Sequence, residues 1–176
     1  EEDLIPAEDC LVTITKTGYI KRLPVGTYRS QRRGGKGVTG MTTKEEDEIA
    51  HFMTCNTHDL VLFFTDRGRV FAIPAWEIAE GSRQAKGTAV INLINIEQEE
   101  KIQAVLTMAK NGKQEYIFTA TKKGMVKKTH LNKFAHIRSS GLIAIKLRRG
   151  DQLCWVKTTQ GNNHILLVSH NGKSIR

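Results

Sequence analysis

Four segments of the chain repeat one pattern, and this repetition constrains the fold more than any other feature. They are LVTITKTGYIKR (11–22), LVLFFTDRGRVFA (60–72), YIFTATKKGMVKK (116–128) and ILLVSHNGKSIR (165–176). Each passes from an apolar, β-rich stretch through Thr or Ser and two further residues to a glycine, then into a second short stretch. The tetrads are Thr15–Gly18, Thr65–Gly68, Thr121–Gly124 and Ser169–Gly172, with glycines 50, 56 and 48 residues apart. Glycine at the last place suits a hairpin turn that needs positive φ there. A unit recurring at this period buries its apolar face only by stacking on its neighbours.

The remainder of each unit recurs too. A glycine beside basic residues follows each of the first three turns: Gly37 after Lys36, Gly87 after Lys86, and Gly141 after Arg138, Ser139 and Ser140. Then come a short apolar strand (VTGM, AVINL, LIAIKL), a polar stretch, and a last strand (IAHFMTC, IQAVLTM, QLCWVKT). Roughly four strands per unit of about 50 residues predict an all-β, propeller-like array of four-stranded blades. Period-2 alternation is clearest in LVTIT and IFTAT. Only PAWEIAEGS (74–82) offers a helical turn. The expected organisation is a linker or N-terminal edge over 1–10 and one β domain over 11–176. Its repeats fall at about 11–58, 59–112, 113–160 and a partial 161–176. The chain stops just past the fourth turn, so about three and a half blades of a larger array are expected.

Charge narrows the function. The 176 residues carry 27 Lys and Arg against 18 Asp and Glu, a net charge of +9. The excess is concentrated: residues 101–149 hold 12 Lys or Arg and one acid, Glu115. Such a face is either simply solvated or a polyanion-binding surface. No run of 18 apolar residues is present, so no membrane-spanning segment is expected. The start, EEDLIPAEDC, lacks a charged-then-apolar leader pattern. Cys10, Cys55 and Cys154 are odd in number and far apart in sequence, so a reducing cytoplasm is expected rather than a disulfide framework.

Catalytic and metal chemistry find little support. GGKGVTG places Gly37 after Lys36 where a P-loop requires Ser or Thr, and GSRQAKGTA fails as well. His51, Cys55 and His58 lie within eight residues, but an extended strand separates His51 from Cys55 by about 13 Å. A strand followed by a turn at 56–59 is the expectation, with no metal. No Ser, His and Asp set sits on a nucleophile elbow. Tyr19 and Tyr116 fall within predicted strands, and Tyr28 lies just upstream of the basic glycine loop.

That loop is SQRRGGKGVTG (30–40). Its glycines let backbone N–H groups approach a phosphate, and its Arg and Lys supply charge and fork-shaped donors. It occupies the same place in its repeat as GSRQAKG (81–87) and HIRSSG (136–141). Three blades presenting related basic loops on one rim would form a curved track that reads phosphates rather than bases.

QRRGGKG (31–37), after GYIKRLPVGTYRS and before VTGMTTKEEDEI, resembles the seven-residue box of the C-terminal domain of bacterial DNA gyrase A subunits. NTHDLVLFFTDRGRVFAIPAWEI, AKGTAVINL, and GMVKKTHLNKF with SSGLIAIKL are similar to that domain's first repeats, so the resemblance spans essentially the whole chain. It implies a β-pinwheel, a six-bladed propeller-like disc in which neighbouring blades exchange strands. It implies that the domain wraps DNA around a basic rim with a fixed hand. The wrapped duplex would be presented to the gate of a type II topoisomerase, supporting ATP-dependent negative supercoiling. The implied partners are double-stranded DNA, bound largely without regard to sequence, and the rest of gyrase A with gyrase B in an A2B2 heterotetramer. The implied location is the bacterial cytoplasm, at the nucleoid. No catalytic residue and no cofactor is implied in this chain, because ATP, magnesium and the cleaving tyrosine belong elsewhere in the enzyme.

Carried onto this sequence, the box is Gln31, Arg32, Arg33, Gly34, Gly35, Lys36 and Gly37. Arg32, Arg33 and Lys36 would contact phosphate, and the three glycines would permit close approach. Arg83, Lys86 and Arg138 are expected rim contacts by repeat position. Lys122, Lys123, Lys127 and Lys128 are further candidates, half of them expected to face away. The alternatives are a topoisomerase IV subunit's C-terminal domain, where the box is usually degraded, and a non-catalytic RNA-binding or scaffold propeller.

Overall fold

A computed structural model of the chain describes residues 4–25, 48–109 and 116–159, and the backbone of 167–168 and 174–175. The fold is all-β. The strands are β1 (Asp9–Thr15), β2 (Tyr19–Pro24), β3 (Ile49–Asn56), β4 (Leu60–Thr65), β5 (Arg69–Pro74), β6 (Thr88–Ala89) and β7 (Ile102–Met108). They continue as β8 (Tyr116–Thr121), β9 (Val126–His130), β10 (Leu142–Ile143), β11 (Leu153–Thr159), β12 (Leu167–Val168) and β13 (Ser174–Ile175).

The turn tetrads make the β1–β2, β4–β5 and β8–β9 hairpins. In each, the glycine N–H donates to the threonine carbonyl at 3.0 Å, from Gly18 to Thr15, Gly68 to Thr65 and Gly124 to Thr121. The threonine hydroxyl then accepts the N–H just past the glycine, from Tyr19, Arg69 and Met125. Threonine recurs because its hydroxyl satisfies a donor that the tight turn leaves over.

Sheet order shows how the repeats interlock. The first sheet is β3-β1-β2-β6, the second β10-β5-β4-β7, the third β11-β8-β9, and β12 pairs with β13. The fourth strand of the first sheet, β6, lies beyond β4 and β5 in the chain, and β10 joins the second sheet in the same way. Neighbouring blades therefore exchange strands. AVINL and LIAIKL are far shorter as strands than their sequences suggest. After β6 the Val90 N–H donates to the Gly18 carbonyl at 2.8 Å, and the chain enters a 3-10 turn at Val90–Asn92. After β10 the Ala144 N–H donates to the Gly68 carbonyl at 2.8 Å. Each swapped segment is thus pinned beneath the preceding hairpin turn, and Val90, Ala144 and Ile145 enter the core instead of extending the sheet, while Ile91, Leu142 and Ile143 stay exposed. Further 3-10 turns lie at Ala75–Glu77, within the stretch expected to turn, and at Leu131–Phe134.

Among the described residues, two cores join the first three sheets. Cys10, Val12, Ile14 and Ile20 of the first sheet meet Val61, Phe63, Phe71 and Ile73 of the second, with Val90 and Ile94. The opposite face of the second sheet, with Leu62, Phe64 and Val70, meets Ile117, Leu131, Phe134 and Leu153. VLFF is apolar without alternation because this middle sheet is covered on both faces. Phe64 and Phe134 pack edge to face, with centroids 5.9 Å apart.

Candidate nucleic-acid interface

The second repeat's basic loop, 81–87, is held by a residue of the first sheet. Lys21 of β2 is 2% exposed, and its ammonium donates to the carbonyls of Ser82 (3.1 Å), Arg83 (2.8 Å) and Ala85 (2.9 Å). Three donors meet three acceptors, so the buried charge is fully hydrogen-bonded. Burial pushes its pKa down. Arg22 continues the attachment: its Nε donates to the Ile78 carbonyl at 3.0 Å, and its carbonyl accepts the Gly81 N–H at 3.0 Å. Gly87, at φ 91°, closes the loop where an added Cβ would stand 2.5 Å from the Ile20 carbonyl oxygen. With its carbonyls turned inward, the loop carries Arg83 half-buried and Lys86 exposed. The Lys86 ammonium sits 4.3 Å from the centroid of the Tyr19 ring.

The third repeat's loop is held by the second sheet in a related way. Arg69 Nη2 donates to the Asn95 carbonyl at 3.2 Å, and the Asn95 side-chain amide donates to the Ser139 carbonyl at 3.2 Å. The Phe71 ring lies 2.8 Å from where a Cβ on Gly141 would be. Arg69 is itself fixed by Glu100, its Nε donating at 2.9 Å, and Thr65 Oγ1 donates to the same carboxylate at 2.6 Å. Burial alone would raise the Glu100 pKa. The donors Arg69, Thr65 and the Glu97 N–H, with the charge of Arg69, outweigh it and hold the carboxyl at about 2. Arg138 is exposed on this loop.

The remaining candidates lie on the third sheet. Lys122 and Lys123 occupy the β8–β9 turn, and Lys127 and Lys128 lie on β9; all four are exposed. Lys127 pairs with Thr119 and Lys128 with Phe118, so strand alternation puts the last two on opposite faces. Lys128 rests over the Tyr116 ring, 4.3 Å from its centroid. The Lys123 ammonium donates to the Arg149 carbonyl at 2.7 Å, so it is partly engaged in holding the neighbouring turn. The predicted box, residues 31–37, lies outside the described residues, as does Tyr28.

Two arrangements are not legible in the sequence. Lys21 reads as one more surface lysine, because its acceptors lie more than 60 residues away. Cys10 and Cys55 face each other in register on β1 and β3, with Sγ atoms 3.6 Å apart. The neighbouring His58 follows in the expected turn, its Nε2 2.8 Å from the Ile5 carbonyl oxygen.

Comparison with known proteins decides the family. A model described as DNA gyrase C-terminal domain, beta-propeller, matches residues 11–56, 59–107 and 115–159. The chain belongs to this family. The DNA gyrase A subunit of Halalkalibacterium halodurans is 46% identical over 176 residues, all of this chain and 21% of the relative. The chain therefore spans about a fifth of the length of the curated relatives it matches. Among solved structures, a C-terminal domain of DNA topoisomerase IV superposes with a TM-score of 0.80 at 31% identity, over 98% of this chain and 52% of that one. A DNA gyrase A C-terminal domain gives a TM-score of 0.53 at 22% identity, over 95% of this chain and 70% of that one. Within the gyrase C-terminal domain family, the strand exchange seen at β6 and β10 matches what the sequence resemblance implied.

Proposed function

We propose that this domain binds duplex DNA along its basic rim and wraps it with a fixed hand. In the whole enzyme it thereby supports ATP-dependent negative supercoiling. One observation carries this reading. Loops 81–87 and 136–141 are fixed at equivalent places on consecutive sheets, with Lys86 and Arg138 exposed. Residues 101–149 carry 12 Lys or Arg against one acid, an excess that favours a polyanionic partner. The partners are double-stranded DNA, the rest of gyrase A, and gyrase B. The cytoplasm at the bacterial nucleoid is the proposed location; among the described residues no helix is long and apolar enough to cross a membrane. The reaction chemistry, with its ATP and magnesium, is assigned to other parts of the enzyme. The intact box of residues 31–37 favours gyrase over topoisomerase IV.

The test is a salt titration of binding to a long duplex. Neutralising roughly six to eight phosphates gives a slope of log K against log salt of about −5 to −7. An affinity indifferent to salt overturns the electrostatic account, and equal affinity for short and long duplexes favours a scaffold instead. Preference for single-stranded RNA in competition favours the RNA-binding alternative. In the full enzyme, changing Arg32, Arg33 and Lys36 together to Ala is expected to abolish supercoiling and to leave strand cleavage and relaxation.

A further inference from the structure

We infer that Lys21 is a positioning residue for DNA binding: an ammonium supplied by one blade that sets the shape of the DNA-facing loop of the next. The inference rests on the DNA-binding reading above and adds to it how the rim is built.

A glycine-containing basic loop left to itself samples many shapes, and its cations repel one another. Here the Lys21 ammonium sits inside the loop and takes three of its carbonyls, those of Ser82, Arg83 and Ala85. Each carbonyl turned toward Lys21 fixes a peptide plane, and the fixed planes set the directions in which the Arg83 and Lys86 side chains leave the backbone. The charge of Lys21 does not reach solvent, since the residue is 2% exposed. It acts through the loop and not by touching phosphate. The anchoring comes from across the blade boundary, because Lys21 lies on β2 of the first sheet and the loop belongs to the second repeat. The second sheet repeats the device with other atoms: Arg69 and Asn95 hold the third repeat's loop, and Phe71, third after its turn glycine as Lys21 is third after Gly18, packs beneath Gly141. Rim geometry is therefore a property of docked blade pairs.

The experiment compares duplex binding by the wild-type chain, Lys21→Met, the double variant Arg83→Ala/Lys86→Ala, and the triple combination, each over a salt series. Lys21→Met keeps a long side chain and removes the donors. It is expected to weaken binding about tenfold and to lower the salt slope by up to about 2, as the removal of two aligned cations from the phosphates would. In the triple variant the Lys21 change is expected to add nothing, because the side chains it positions are already gone. Amide exchange of residues 82–87 is expected to speed up in Lys21→Met. An unchanged salt slope with a released loop overturns the inference, and so does an additive effect in the triple variant. Should Lys21→Met fold poorly, Lys21→Arg supplies the second reading. It restores donors and is expected to keep the slope wherever 82–87 remain protected, and loss of slope in a protected loop overturns the proposal. A wild-type chain with no salt-dependent duplex affinity refutes the DNA-binding reading itself, and is thereby distinguished from a failure at Lys21.

Discussion

Arg69 and Glu100 form an ion pair whose carboxylate is buried, with the residue 4% exposed, while the guanidinium continues outward to the Asn95 carbonyl. The pair thus ties the second hairpin to the segment leading into β7 and, through Asn95, to the third repeat's loop. Glu100 is held at about 2, below the ordinary carboxylate value of about 4.3. A depressed folded pKa contributes stability that is fully present above the unfolded value and is lost as pH falls from there toward about 2, worth about 3 kcal/mol in all. Arg69→Met leaves that carboxylate buried without its counter-charge and is expected to cost about 3 kcal/mol near neutral pH. Urea unfolding midpoints of the two proteins should converge as the pH is lowered through that window. A gap independent of pH would show that the pair is not the source of the loss.

Gly87 and Gly124 separate backbone conformation from crowding. Their φ values are 91° and 90°, so alanine at either site takes a left-handed conformation at a cost of about 1–2 kcal/mol. A Cβ at Gly124 would meet no described atom within 4 Å, whereas a Cβ at Gly87 would meet the Ile20 carbonyl oxygen at 2.5 Å. Gly87→Ala is therefore expected to lose clearly more stability than Gly124→Ala. It should also speed amide exchange in 81–87, because the displaced Ile20 carbonyl adjoins Lys21. Equal midpoints for the two variants in urea would contradict the close approach.

The Cys10 and Cys55 thiols are poised to be joined. Their sulfurs are 3.6 Å apart in a directly opposed cross-strand pair. The contact with the Cys55 thiol holds Cys10 below the ordinary thiol range, and the same contact with burial pushes Cys55 up. In a Cys154→Ser background, diamide is expected to take one hydrogen from each thiol, forming the S–S bond while its azo group is reduced to the hydrazine. The mass should fall by two hydrogens, and no thiol should then react with iodoacetamide under denaturing conditions. Closing a loop across a separation of 45 residues would stabilise the chain by about 4 kcal/mol on the chain-entropy account. Retention of both thiols after prolonged oxidation would show that the pair cannot reach bonding geometry.

The hairpins are legible in the sequence because threonine and glycine at fixed spacing answer a local need, a turn with one leftover donor and one positive φ. The unbroken VLFF run marks an apolar strand, but the covering of β4 on both faces emerges only with the sheets that flank it. The swapped strands are visible as apolar segments, but the residues themselves show neither their shortness nor their attachment to the preceding sheet; only the family resemblance implied that attachment. Two residues of strand carry no periodicity, and what pins them is a hydrogen bond from Val90 to Gly18, on the hairpin before. Lys21 is illegible for a further reason. A lysine between Ile20 and Arg22 looks like solvated charge, and only the folded loop of the next repeat supplies its three carbonyls. Lys86 and Arg138 are exposed on the loops that the repeats single out, yet nothing local to Lys123 signals its engagement by Arg149.

That engagement separates the third sheet's cations. Lys122 and Lys123 share one turn, but the Lys123 ammonium donates to the Arg149 carbonyl at 2.7 Å and its N–H donates to Asp151 Oδ1 at 2.9 Å. Its side chain bridges the β8–β9 turn and the turn before β11. Reaching a phosphate would require giving up the carbonyl, which offsets much of the gain. Lys122→Ala and Arg138→Ala are each expected to lower the salt slope of duplex binding by about 1, the signature of one phosphate no longer neutralised. Lys123→Ala is expected to lower it by less, and to act instead through faster amide exchange at residues 149–152. The decisive comparison is the slope of Lys122→Ala against that of Lys123→Ala on the same duplex. A full unit of slope removed at Lys123, with exchange at 149–152 unchanged, would make it a DNA contact and not a brace.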